Sequence, residues 1–187
     1  MRFPALAALA LIAAPAAAQT VPLPHFDSIE LSYGGRILLR QGPVQRVTLV
    51  RGSTEYTSFR VERRGMQQKL VVVTCNARCP QRYDMDVVVE GPDVEALAVH
   101  NGGLIVADGP FPLRPEMSVA VTHGGEIDLA RMPVREVSAA VQGGGGITVD
   151  ARDSLAAAVH GGGEIVYLGS PSLAQAVEGG GTIRRRR

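Results

Sequence analysis

Tryptophan is absent, and the 187 residues include only four tyrosines and four phenylalanines. Aromatic packing therefore cannot build the core, which has to come from aliphatic side chains. Net charge is almost absent too, since 19 Lys and Arg stand against 18 Asp and Glu. That balance offers no bulk attraction to nucleic acid or to a strongly acidic partner. No run beyond the N-terminus approaches the ~20 apolar residues that span a bilayer, so no transmembrane segment is expected. No convincing helical periodicity follows residue 18 either. What the chain has in excess is glycine, 22 residues of it, together with recurring Val, Ile and Leu. Many short strands joined by tight turns suit that composition better than a helical bundle.

The start, "MRFPALAALALIAAPAAAQT", has Arg2, then an apolar stretch from Ala5 to Ala14, then Ala16, Ala17 and Ala18 before Gln19. This is the pattern of a secretory signal peptide over residues 1–18, with cleavage after Ala18. It predicts an exported chain, periplasmic or at the cell surface, whose residues 19–187 form one domain and act as a monomer. In such an oxidising compartment Cys75 and Cys79, in "TCNARCP", read most simply as a local disulfide. A redox pair would favour two intervening residues rather than three. A zinc site would need further ligands, and no histidine lies nearby.

The glycines explain themselves through a repeat. "AVHNGGLIV" from Ala98, "AVTHGGEIDL" from Ala120, "AVQGGGGITV" from Ala140, "AVHGGGEIVY" from Ala158 and "AVEGGGTIRR" from Ala176 share one frame. In each the Ile lies six residues beyond the Val: Val99 to Ile105, Val121 to Ile127, Val141 to Ile147, Val159 to Ile165, Val177 to Ile183. The valines recur after 22, 20, 18 and 18 residues, too short for a helix pair. Eighteen extended residues make a circuit of roughly 60 Å, and neighbouring circuits stack about 4.8 Å apart. The pattern predicts an all-β, right-handed β-helix or solenoid over residues 97–187, after an irregular β region over 26–96. Val141, Val159 and Val177 should form one interior column, and Ile147, Ile165 and Ile183 another. Leu155 should lie over Leu173, and Val149 over Tyr167. The glycine pairs Gly102–Gly103, Gly124–Gly125, Gly144–Gly145, Gly162–Gly163 and Gly180–Gly181 become stacked corners. A phosphate loop is excluded because no Lys-Ser or Lys-Thr follows any glycine run.

Three further stretches complete the pattern: "FDSIELSYGGRILLRQGPVQRVTLV" from Phe26, "KLVVV" from Lys69 and "VVVEGPDVEALAVHNGG" from Val87. With the Val-x-x-Gly-Gly-x-Ile units they resemble the bacterial envelope family described as putative auto-transporter adhesin, head GIN domain. The resemblance runs from Phe26 to Ile183. It implies a β-helical fold on an exported protein, and it offers no catalytic residues to carry over. The chain departs from the family in the Cys75–Cys79 pair and in Leu104, Gly146 and Thr182, which replace an acidic corner residue.

Sites for chemistry are few. His100 and His160 hold equivalent places three repeats apart, roughly 14 Å, too far to share an ion. His160 and Glu178 can meet one repeat apart, but two ligands make no zinc site; His123 lies at a corner between them. Glu126 and Glu164 are two repeats apart with Gly146 between, near 10 Å, at the limit for a pair of glycosidase carboxyls. No cofactor and no metal is expected. The run Arg184, Arg185, Arg186 and Arg187 either caps the last repeat or contacts an anionic polymer such as lipopolysaccharide or acidic envelope polysaccharide. The function expected is a non-enzymatic envelope protein for adhesion or polymer binding. The alternatives are a self-assembling module and a polysaccharide-active enzyme.

Overall fold

The computed structural model describes residues 18–65, 67–76 and 78–186. The signal-peptide reading, but for Ala18, and Arg187 of the arginine run lie outside the described residues. The described chain is all-β, with no helix among its residues. Two layers of strand open it: β1 (Gln19–Val21), β2 (Ser28–Ser32), β3 (Arg36–Gln41), β4 (Arg46–Arg51), β5 (Ser58–Arg64), β6 (Gln67–Val73) and β7 (Asp86–Gly91). The repeats follow as β8 (Ala96–His100), β9 (Leu104–Ala107), β10 (Arg114–Thr122), β11 (Glu126–Gly143), β12 (Gly146–Gly161), β13 (Glu164–Leu168), β14 (Ser172–Glu178) and β15 (Thr182–Arg185).

All fifteen strands join one sheet, and eleven of them follow a single path, β1-β4-β7-β3-β9-β11-β10-β8-β2-β6-β5. The body is barrel-like, where the sequence led to the expectation of a right-handed β-helix or solenoid over residues 97–187. The reason is local: β11 and β12 run unbroken for 18 and 16 residues. Each pairs along both edges, so the two columns of strands become one curled sheet.

Within it the repeats pair parallel and in register. Val141 lies beside Val159 and Val159 beside Val177. Ile147 lies beside Ile165 and Ile165 beside Ile183. Leu155 meets Leu173, and Val149 meets Tyr167. Alternate side chains point inward, and the inward set is apolar because every strand has one face on the core. Ile37, Ile105, Ile127, Ile147 and Ile165 are all fully buried in one column, each contributing about 1.5 to 3 kcal/mol relative to exposure.

The N-terminal region is less irregular than its sequence suggests. Leu31 and Ile37, six residues apart, pair with Val99 and Ile105, so "LSYGGRI" is one more copy of the frame. Val72 and Val87 pair in turn with Leu31 and Ile37. There the glycine corner is replaced by the excursion from Thr74 to Met85. The order of these layers is inverted. The layer of β6 and β7 lies on the far side of β2 and β3, and β8 and β9 lie on the near side. The chain thus sets down one layer, then the terminal one, then crosses back. β5 on β6 and β4 on β7, both antiparallel, close that end.

Cys75 and Cys79 are disulfide-bonded in the excursion, with their Cα atoms 5.9 Å apart. The same loop is held independently by the Tyr83 hydroxyl, which accepts from the Ser53 N–H at 2.7 Å and donates to the Ser53 carbonyl at 3.0 Å. Breaking the disulfide by the double change Cys75→Ser and Cys79→Ser should therefore cost no more than about 2 kcal/mol. Thermal melts with and without reductant should differ by no more than roughly 8 °C. Loss of the cooperative transition would show instead that the bridge holds the fold.

Candidate functional site

The corners divide the glycines into two kinds. The second member of each pair is packed. A Cβ on Gly103 would meet Leu31 Cδ2 at 2.8 Å, on Gly125 Val99 Cγ1 at 2.4 Å, and on Gly145 the Gly125 carbonyl at 2.6 Å. On Gly163 and Gly181 it would meet Val141 and Val159 Cγ1 at 2.3 Å. The collision is with the preceding repeat. The first members, Gly102, Gly124, Gly144, Gly162 and Gly180, face open space. In the longer runs the first glycine, Gly143 (86°), Gly161 (117°) or Gly179 (106°), takes a positive φ, and in the run of four Gly145 (104°) does so as well. Tyr33, Asn101 and His123 hold the same corner position with φ of 66°, 57° and 57°. Asn and His tolerate that region better than most residues. His123 is thus a corner residue, and it stands outside the row of His100 and His160.

That row runs Ser32, His100, Thr122, Gln142, His160 and Glu178, each paired with the next. His160 Nδ1 lies 2.9 Å from Glu178, both of them exposed. At the other end Glu30 is bonded to Lys69 and lies 3.8 Å from His100 Nε2. Among the described residues no three of His, Cys, Asp and Glu come together as metal ligands would.

Glu126, Gly146 and Glu164 stand side by side in register, as their spacing predicts. Glu164 accepts from Arg184 Nε at 2.6 Å and from the Thr182 hydroxyl at 3.4 Å. The Arg184 hydrogen bond holds the Glu164 carboxyl below its ordinary range and raises the guanidinium in return. A carboxyl kept ionised in this way makes a poor general acid. In Arg184→Gln the titration of Glu164, followed by carboxyl-carbon NMR, should move up in pH. Its small contribution to stability is present above the unfolded pKa and fades as pH falls through the lower folded one, and solvent screening keeps it small.

The arginines at the last strand are only partly engaged. Arg184 pairs with Glu164, and Arg185 donates to the Ser170 hydroxyl at 2.7 Å. The Arg186 N–H donates to the Tyr167 carbonyl, and its guanidinium has no partner among the described residues. None of this covers the last members of the interior columns: Leu173 is 38% exposed and Val177 44%.

Sequence reasoning missed two features. Arg114 occupies an inward position, paired with Val134, which in turn pairs with Ala151, both fully buried. Its guanidinium reaches out to the Pro92 carbonyl and to Asp93 at 2.9 Å, leaving Nε without a partner. No local signal marks an arginine as inward there. The other is a broad groove of about 650 Å³ on the outer face of β6, β2, β8, β10, β11, β12 and β14. Two rows of small side chains floor it: Ser118, Ser138, Ala156 and Ala174, then Ala120, Ala140, Ala158 and Ala176. The second row is the alanine of every Ala-Val pair, so its signal lay within the repeat frame itself.

The central part of these rows and corners matches a known family. Residues 115–171 match the model of the family described as Putative auto-transporter adhesin, head GIN domain. That segment spans the repeats from β10 to β13, and over it the match bears out the resemblance read from the sequence. No curated protein matches the chain by sequence. Among solved structures, a putative adhesin from Bacteroides fragilis NCTC 9343 is similar at 16% identity, covering 91% of this chain and 96% of that one, with a TM-score of 0.55. At that identity the likeness speaks for the fold alone. A putative lipid binding protein from Parabacteroides distasonis ATCC 8503 aligns at 15% identity over 91% of this chain and 96% of that one, with a TM-score of 0.43. For a putative cell adhesion protein from Clostridium sporogenes ATCC 15579 the identity is 9%, the coverage 90% and 97%, and the TM-score 0.42.

Proposed function

We propose that the chain is an exported, non-enzymatic, adhesin-like envelope protein whose outer sheet face lies along envelope polysaccharide. In this reading a secretion signal over residues 1–18 is removed, and residues 19–187 act as one domain. The repeats wrap as a right-handed β-helix of 18 to 22 residues per coil, a reading supported by the parallel register at those steps. The observation that carries the function is the groove. Two rows of small side chains across neighbouring strands leave a smooth floor wide enough for an extended polymer. Glu116 and Glu136 border it on one side, and Gln142 and His160 on the other. The acidic border on one side favours a neutral glycan over an anionic one.

The test is binding of the chain from Gln19 to Arg187 to neutral envelope polysaccharide, acidic polysaccharide and lipopolysaccharide across a salt series, beside a form ending at Ile183. Binding to the neutral polymer should resist salt, survive the truncation and disappear in Ala140→Glu. Salt-sensitive binding that is lost on truncation would move the site to Arg184–Arg187. Release of reducing sugar from any of the polymers would overturn the non-enzymatic reading.

A further inference from the structure

The two ends of the sheet are finished differently. At one end antiparallel β5 and β4 cover the terminal layer. At the other, β14 pairs only with β12 and β15 only with β13, so each keeps one edge of backbone unpaired among the described residues. The direction of the free groups follows from the bonds that are made. Thr182 and Arg186 donate their N–H groups to the Gly163 and Tyr167 carbonyls of the preceding repeat. Backbone groups alternate along a strand, so Ile183 and Arg185 turn theirs to the open edge. Around that edge stand the exposed ends of the apolar columns, Leu173 and Val177, and the guanidinium groups of Arg184, Arg185 and Arg186.

We infer that this edge receives an extended polypeptide segment in which acidic and apolar residues alternate, added as a further strand beside β15. Unpaired N–H and C=O groups call for another backbone, and strand addition supplies one. The apolar residues of the incoming segment continue the Ile183 column, and its carboxylates, on the alternate face, meet Arg184 and Arg186; Arg185 stands on the Ile183 face, in register with Tyr167. A second copy of the chain fits less well. Facing β15 edges would set arginines against arginines, and β14 and β15 together present only seven and four residues. That is roughly 36 Å of edge, a short seam for an interface that needs ~800 Å² per partner to be stable. A membrane fits less well still, because hydrocarbon leaves the open N–H groups unsatisfied.

The experiment uses the chain from Gln19 to Arg187 and a fluorescein-labelled, end-blocked nine-residue peptide of alternating glutamate and valine. Binding is read by anisotropy, and backbone pairing by amide hydrogen exchange. The peptide should bind in about the 10–100 μM range, and the Ile183 and Arg185 amides should exchange more slowly when it is present. Arg185→Pro removes one open-edge N–H without touching a bond to β13, and it should weaken binding at least tenfold. Arg186→Glu, on an exposed side chain that leaves the fold intact, should weaken it severalfold. A lysine-for-glutamate peptide should not bind. The inference is overturned if the acidic peptide fails to bind, or binds without slowing those two amides. It is also overturned if the chain prefers phosphatidylglycerol vesicles to the peptide, or if light scattering shows a dimer that Arg185→Pro dissociates.

Discussion

Gly145→Ala should lower the melting temperature by roughly 6 to 12 °C, whereas Gly144→Ala, one residue earlier, should leave it unchanged or slightly raised. The two positions look alike in the repeat, but their surroundings differ. Gly145 has φ of 104°, and a Cβ there would lie 2.6 Å from the Gly125 carbonyl and 2.8 Å from Val121 Cγ1. The backbone strain costs ~1–2 kcal/mol for an L-residue and the forced overlap a further 1–3. Alanine's smaller freedom in the unfolded chain returns up to ~1 kcal/mol, for a net loss of about 3. Gly144 has no atom within 4 Å of the added carbon and no positive φ, so only the unfolded-state gain remains. Differential scanning calorimetry of the two variants decides the matter. Equal losses in both would mean that the corner is not seated against the preceding repeat as described.

In the interior column, Ile147→Ala should cost about 3 to 4 kcal/mol, while the same change at Ile183 should cost about 1 or less. Ile147 is 1% exposed, enclosed between Ile127 and Ile165. The cavity left there has neighbours on both sides that cannot collapse into it. Ile183 is packed against the column from one side only, so truncation leaves little void and exposes little that was not already exposed. Urea titrations should show a large fall in midpoint for the first variant and a small one for the second, with the slope preserved. A large loss at Ile183 would mean that its open side is covered in solution, for instance by another chain.

Position in the stack, rather than residue type, sets both outcomes. The same logic underlies the small effect expected of the disulfide: Cys75 and Cys79 pin an excursion that Tyr83 already anchors at Ser53.

The sequence by itself determined the class of structure and the register of its repeats. Fixed spacing from Val to Ile, alternation of apolar side chains and glycine at one recurring place are local constraints. Each acts within a few residues, so the pairing of Val141, Val159 and Val177 follows from their spacing alone. The head GIN resemblance belonged to the same local signal. Tertiary structure alone decided what depends on distant partners. It distinguished the packed glycine of each pair from the open one, because the colliding atom belongs to another repeat. It joined the two strand columns into a barrel-like sheet through the unbroken lengths of β11 and β12. It placed the β6–β7 layer beyond β2 and β3, an inversion that no spacing records because the connecting strands can run either way. It also turned the alanine of each Ala-Val pair into the floor of a groove and left one sheet edge open. Those are properties of stacked neighbours, and a single repeat does not contain them.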